Sequence, residues 1–232
     1  MKKPTPFTLP KLSVLILLAL VFTACENETY DTGDGKYSYL RADFGEIRTG
    51  AAATAIGGTT DEGETLLFSS PYTTAWAAKA DTTYRALIYY KYNNVETDKV
   101  EPQAISRVPV VKVYYTARPD TVKFDPLTLE SVWMSKNKKY LNIAVILKTG
   151  QAEGIDALQT IGLMYENEAT LPGDKRELRL RFIHNQAGVP QYYSSRTFVS
   201  LPLKNISADF IAISIPTYDG WISRTLQIRG ER

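Results

Sequence analysis

Alternation of apolar and polar residues runs through several short segments in the second half of this chain. It is clearest over residues 141–148, 177–182 and 211–215, and Asp219-Gly220 then offers a turn into a last run over 221–228. Successive side chains of a strand point to opposite faces, so each segment predicts a strand with one buried and one wetted face. On the first segment, Asn142 and Ala144 are expected on the wetted face. The pattern predicts an antiparallel β-sandwich.

The first half contains shorter strand candidates. Residues 37–42, 44–48 and 65–68 qualify, separated by Gly57-Gly58 and by residues 61–63. Residues 83–92 are apolar or aromatic on both faces, as expected for a strand in a closed small barrel, and 108–115 is the expected returning strand. The 15 tyrosines of the chain favour strands as well. About five strands in roughly 80 residues predict a small barrel.

Two prolines mark a joint between these halves. Pro119 and Pro126 restrict their predecessors to extended backbone, which predicts a short, stiff connector. The predicted organisation is a signal peptide at 1–24, an acidic tether at 25–36, a barrel domain at 37–117, a linker at 118–126 and a sandwich domain at 127–232.

The N-terminus has the three zones of an export signal. Lys2 and Lys3 precede an apolar run over residues 12–22, which is shorter than the roughly 20 residues of a bilayer-spanning helix. Small residues Thr23 and Ala24 then stand before Cys25, and the segment resembles the lipobox of bacterial lipoproteins. Cys25 is therefore the predicted acceptor of fatty acyl chains such as palmitate, which would anchor the protein to the outer membrane, with exposure at the cell surface as an option.

Charge and cysteine content exclude other classes. Without the lysines of the signal, 24 of the 27 basic residues remain against 25 acidic ones, and no block forms the basic stripe that nucleic-acid binding requires. Cys25 is the single cysteine, so no intramolecular disulfide can form and the exported domains depend on their cores. No nucleic-acid partner is predicted.

Several segments together resemble the NigD-like lipoproteins. They are the acidic tether after Cys25 and residues 83–90, 140–148, 182–186 and 215–220. The resemblance covers the predicted mature chain and implies an OB-like barrel followed by a β-sandwich. The family takes its name from a bacteriocin gene cluster and has no established catalytic residues, so the resemblance implies none here.

No recognisable catalytic or metal motif is present. His184 is the only histidine, and its position at the end of a predicted strand favours a structural, hydrogen-bonded role. Nucleophile elbows, zinc-type pairs and phosphate-binding glycine loops are missing from the sequence. No catalytic residue, metal or cofactor is predicted, although a pair of carboxylates would still permit an envelope hydrolase.

Aromatic residues are the candidates for ligand binding. The aromatic residues suited to present flat faces to sugar rings or an apolar peptide are Trp76 with Tyr72, Trp133, Trp221 and the pair Tyr192-Tyr193. Of these, Trp76 and Tyr192-Tyr193 are the predicted binding residues, Tyr192-Tyr193 because Pro190 and Ser194-Ser195 flank them. OB-like barrels commonly bind oligosaccharides or oligonucleotides. The leading hypothesis is a non-catalytic, lipid-anchored protein that binds another envelope component or an extracellular peptide. A surface glycan-binding accessory protein is the first alternative and the hydrolase the second.

Overall fold

The computed structural model describes residues 40–92, 99–154 and 156–229. Its first five strands close into a barrel in the order β1-β2-β3-β5-β4, with β3 and β5 parallel and the other neighbours antiparallel. The strands are β1 (Leu40–Thr49), β2 (Ala55–Thr60), β3 (Thr65–Tyr72), β4 (Thr83–Tyr92) and β5 (Lys99–Arg107). The predicted OB-like barrel is confirmed.

Barrel closure depends on β4 and on glycines. Ala86, Ile88 and Tyr90 point from β4 into the barrel core, and the opposite face of β4 is also covered, which explains the apolar residues on both faces. Gly57 and Gly58, expected to break the sheet, instead lie within β2. A Cβ on Gly58 would lie 2.5 Å from the Glu46 carbonyl oxygen, so glycine permits the close approach of β1 and β2.

Two strand expectations in the barrel were wrong. The predicted strands over 37–42 and 44–48 belong, within the described residues, to the single strand β1. The returning strand is β5, whereas the segment 108–115 contributes only β6 (Val113–Tyr114), which pairs with another sheet. Pro102 interrupts the strand pattern of β5, so the sequence did not predict this strand. The proline lies opposite Tyr90 at a register shift, where the loss of a backbone N–H donor is tolerated.

The remaining strands form two sheets. One has five strands in the order β13-β12-β10-β9-β6, and the other has three in the order β11-β8-β7. The strands are β7 (Thr128–Met134), β8 (Tyr140–Thr149), β9 (Thr160–Leu171), β10 (Lys175–Asn185), β11 (Tyr193–Pro202), β12 (Phe210–Thr217) and β13 (Gly220–Gln227). Their alternating apolar residues share one buried core, as predicted for the sandwich. The described part of the chain has no helix with the length and hydropathy needed to cross a bilayer.

The outer face of the three-stranded sheet contacts the barrel. Asn142 and Ala144, expected in water, are 1% exposed because this face of β8 packs against barrel residues. Phe44 of β1 inserts between Trp133 of β7 and Phe198 of β11, with ring centroids 5.4 and 5.1 Å away. The predicted boundary between the two domains remains a prediction, and these contacts make the junction a packed interface.

A buried arginine lies at the centre of this junction. The guanidinium of Arg85 forms a bidentate pair with Asp61, at 2.5 and 2.6 Å, and also donates to Asn142 and Ser200 at 3.0 and 3.1 Å. It lies 4.3 Å above the Tyr140 ring, and its side chain is fully buried. A buried charge is tolerated only when it is paired and hydrogen-bonded, and each of these conditions is met here.

Candidate functional site

A groove opens at the end of the three-stranded sheet that is formed by β8 and β11. Its volume is about 450 Å³. Tyr193, Ser195 and Thr197 form one side, and the register places Tyr193 opposite Thr149. Residues 156–159 and Val189 form the other side. The groove therefore exposes the inward face of β11 beyond the end of the sandwich core.

Exposed aromatic and aliphatic side chains surround this groove. Tyr192, Tyr193 and Leu158 are 72%, 56% and 81% exposed. A Cβ on Gly150 would lie 2.8 Å from the Tyr192 ring, so the glycine leaves room for that ring beside the groove. The structure thus brings the predicted pair Tyr192-Tyr193 together with an apolar residue, Leu158, that the sequence did not single out.

One side of β11 has backbone groups available next to the groove. The Ser200 N–H donates to Pro109 and its carbonyl accepts from Val111, both at 2.9 Å, on the side away from β8. Pairing with β8 continues without a register shift, so alternation turns the backbone groups of Ser194 and Arg196 to that same side. Within the described residues, no backbone group bonds to Ser194 or Arg196 there.

Hydrogen bonds fix the wall of the groove from behind. Gln159 donates to the Lys148 carbonyl at 2.6 Å, and Gln186 donates to the same carbonyl at 3.0 Å. His184 is fully buried, with Nδ1 3.0 Å from the Asp125 carbonyl oxygen and Nε2 3.2 Å from Oε1 of Gln159. The single histidine therefore supports the wall and does not face the groove.

Trp76 lies elsewhere, on the barrel. Its indole N–H donates to the Ile105 carbonyl at 3.2 Å, and its ring meets Tyr84 edge-on at 5.6 Å. The half-buried side chain packs against the barrel core, and the structure does not bring it to the groove of Tyr193. A binding role for Trp76 remains a prediction. Cys25, the signal peptide and the acidic tether lie outside the described residues.

The arrangement of barrel and sandwich recurs in solved structures. A NigD-like immunity protein from Bacteroides caccae superposes with a TM-score of 0.61 at 20% identity, over 79% of this chain and 91% of that one. The chain has the NigD-like fold. No family model and no curated protein matches the sequence.

Two further solved structures are similar in fold to this chain. A protein of unknown function from Bacteroides vulgatus gives a TM-score of 0.60 at 15% identity, covering 81% of this chain and 90% of its own. A Bacteroides fragilis protein, provisionally named a lipoprotein, gives 0.58 at 12% identity, covering 83% and 100%. These likenesses establish the fold of the chain.

The sequence places Trp221 among the aromatic candidates but does not predict the charged surface that surrounds it on the other sheet. Trp221 of β13 is 52% exposed and lies beside Phe124 and Arg181, with ring centroids 5.4 Å apart for the aromatic pair. The three residues are far apart in sequence, and only the strand order reveals their proximity. Across the described ranges, no three His, Cys, Asp or Glu side chains converge into a group that could hold a metal ion.

Proposed function

We propose that this chain is a lipid-anchored, non-catalytic binding protein of the cell envelope, which captures an extended segment of another polypeptide at the edge of β11. The observation that carries the proposal is the combination of free backbone groups at Ser194 and Arg196 with the groove on the inward face of the same strand. An extended peptide satisfies such an edge by adding one strand to the sheet.

When a peptide binds as an added strand, its backbone and its side chains make different contacts. Backbone groups of the peptide would pair with Ser194 and Arg196, which supplies affinity without reading sequence. Alternate peptide side chains would point inward, beside Tyr193, Ser195 and Thr197, and enter the groove. Tyrosine combines an apolar ring with a polar hydroxyl and loses little conformational entropy on binding, so Tyr192 and Tyr193 suit this role.

The wall behind the groove is ordered before any ligand arrives. Gln159, Gln186 and His184 already bond to backbone carbonyls or to each other. A preformed wall reduces the conformational entropy lost on binding. The resemblance to a family named from a bacteriocin cluster, and the name of the Bacteroides caccae immunity protein, favour a peptide or protein toxin as the partner.

Peptide binding at the open edge of β11 can be tested with a single proline substitution. Arg196→Pro removes the outward N–H, whereas Arg196→Ala removes the side chain and its Glu130 partner but keeps that N–H. Both variants should fold, because proline is tolerated where the N–H of an edge strand faces solvent. Linear peptides selected from a displayed library against the wild type should bind the alanine variant normally. They should bind the proline variant at least about fivefold more weakly, the value of one net hydrogen bond of about 1 kcal/mol.

Two outcomes would count against the edge as the binding site. The first is equal binding of the selected peptides to wild type and Arg196→Pro, and the second is a selection that enriches no peptide over the proline variant. Circular dichroism of both variants establishes that the comparison is between folded proteins.

Membrane anchoring is tested at Cys25. Its thiol is the proposed acyl acceptor, so Cys25→Ser should incorporate no labelled palmitate and should move from the detergent phase to the aqueous phase on partitioning. The wild type, expressed in the same Gram-negative host, is the control. Label retained on the serine variant would refute lipidation at this residue.

A further inference from the structure

The outer face of the five-stranded sheet carries a second surface, which we call the Trp221 shelf. Its floor consists of small residues on the two strands at one side of the sheet: Ala212, Ser214, Ser223 and Thr225. Register pairs Ser214 with Ser223 and Ala212 with Thr225, so their side chains share one face. The space above them has a volume of about 390 Å³. Three hydroxyl groups therefore cover a shallow floor that no large side chain fills.

Two ion pairs lie on β9 and β10 beside the floor, and Glu166, Glu177 and Arg179 line the space above it. Nε of Arg179 bonds Glu177 at 2.7 Å, and Nε of Arg181 bonds Glu166 at 2.8 Å. Two guanidiniums and two carboxylates sum to a formal charge of zero. Each arginine has further N–H groups, and each carboxylate has further lone pairs. This side of the shelf therefore offers both hydrogen-bond donors and acceptors. Its net charge of zero favours neither anions nor cations.

Trp221 lies next to the floor, because it precedes Ser223 by two residues on β13 and its side chain is therefore on the same face of that strand. Phe124 meets its ring edge-on, and the Arg181 guanidinium lies 5.7 Å from the ring centroid. These contacts hold an indole that remains 52% exposed. Among the described residues, no acceptor bonds the indole N–H. The ring therefore combines a positioned apolar face with a free donor at its edge.

We propose that the Trp221 shelf binds a neutral saccharide. The C–H groups on one face of a pyranose ring are apolar and pack on an indole, while the hydroxyl groups both donate and accept hydrogen bonds. An anionic ligand would find no net positive charge here, and an apolar peptide would leave the floor hydroxyls and the charged pairs unsatisfied. The volume falls within the usual range of small-ligand sites, about 300–1,000 Å³. This site is separate from the β11 edge and does not depend on the peptide-binding proposal.

The three tryptophans provide an internal comparison for the test. Fluorotryptophan is incorporated, and the resonances of Trp76, Trp133 and Trp221 are assigned from single Trp→Phe variants by fluorine NMR. The probes are hexasaccharides of glucose, mannose, xylose and galactose, raised to about 10 mM so that millimolar Kd values are detectable. An oligogalacturonate of equal length is the anionic comparison. At least one neutral probe should shift the Trp221 resonance in a saturable way and leave those of Trp76 and Trp133 unchanged.

Variants then assign the binding to the shelf. Binding of the active hexasaccharide, followed by calorimetry, should weaken about tenfold or more in Trp221→Ala, because an exposed anchor ring is removed. Ser223→Leu should weaken it similarly by filling the floor, whereas Tyr115→Ala, at an exposed tyrosine away from the shelf, should not. The proposal is overturned if no neutral probe shifts Trp221, if oligogalacturonate binds more tightly than every neutral probe, or if Trp221→Ala binds as the wild type does.

Discussion

The barrel and the sandwich contain similar strands but differ in whether every strand is paired on both sides. The five barrel strands pair in a ring, so each has a neighbour on both sides. The two sandwich sheets instead end in β13, β6, β11 and β7, and both proposed binding surfaces lie at or beside such ends. Closure leaves no unpaired strand in the described part of the barrel, whereas an open edge leaves backbone groups accessible to a partner. Both binding surfaces that we propose therefore belong to the sandwich, and neither belongs to the barrel.

The largest expected effect tests whether the two parts are coupled. Arg85→Ala should lower the free energy of unfolding by about 3–5 kcal/mol, because Asp61 is left largely buried without its counter-charge. Lys136→Ala is the matched control, since Lys136 pairs with Glu62 across the same junction but in water. It should change stability little. Urea unfolding is the measurement, and equal losses in the two variants would contradict a junction centred on Arg85.

A smaller effect is expected from glycines in the two kinds of sheet. Gly58→Ala should cost about 1–3 kcal/mol, because its Cβ would press on the backbone of β1 in the closed barrel. Gly162→Ala in β9 is the comparison, since the nearest atom to its Cβ would be Ile183 Cδ1 at 3.9 Å. That variant should be neutral, or more stable by up to about 1 kcal/mol. Thermal unfolding distinguishes them, and a tolerated Gly58→Ala would argue against close packing of β1 on β2.

The smallest effect concerns acid sensitivity at the junction. Partial burial raises the pKa of Glu46, but hydrogen bonds from Lys139 and Tyr140, both at 2.7 Å, outweigh it and hold that pKa below its usual 4.5. A lowered pKa in the folded state stabilises the protein above pH 4.5, and this contribution is lost as the pH falls through the folded-state pKa. Glu46→Gln should therefore be less stable than wild type at neutral pH, with the difference shrinking in acid.

Urea unfolding at neutral and acidic pH provides the values for this comparison. Burial and the hydrogen bond to Glu46 raise the pKa of Tyr140 to about 12, so its hydroxyl remains the donor throughout this range. A difference between Glu46→Gln and wild type that does not change with pH would rule out the ionised carboxylate as its source.

Local patterns predicted the fold class better than they predicted strand neighbours. Alternation identifies β8, β10 and β12 because their apolar faces share one core. It fails at Asn142, whose face is covered by another part of the chain, and at β5, where Pro102 interrupts the pattern. Burial of a second face depends on strand order, which alternation within a strand does not contain.

The candidate sites show the same limit. Exposure of Tyr192 and Tyr193 follows from their flanking proline and serines, and the structure places both in water. The free edge beside them depends on which strand lies next to β11. The Trp221 shelf likewise combines residues of β9, β10, β12 and β13, with Phe124 from the segment before β7. No local signal brings such residues together, because their proximity is created by long-range pairing.

If the chain is anchored and holds a partner at β11, as proposed, the contacts of Ser200 determine how a pulling force is transmitted. Its backbone ends the open part of β11 by bonding residues 109 and 111, while its hydroxyl accepts from Arg85. A force applied along a strand added to β11 would strain all of the new hydrogen bonds at the same time, in shear. The tension would then pass through Ser200 into Arg85, Asp61 and the closed barrel. A partner strand bound at β11 would thus resist being pulled off, because the edge is connected to the closed barrel.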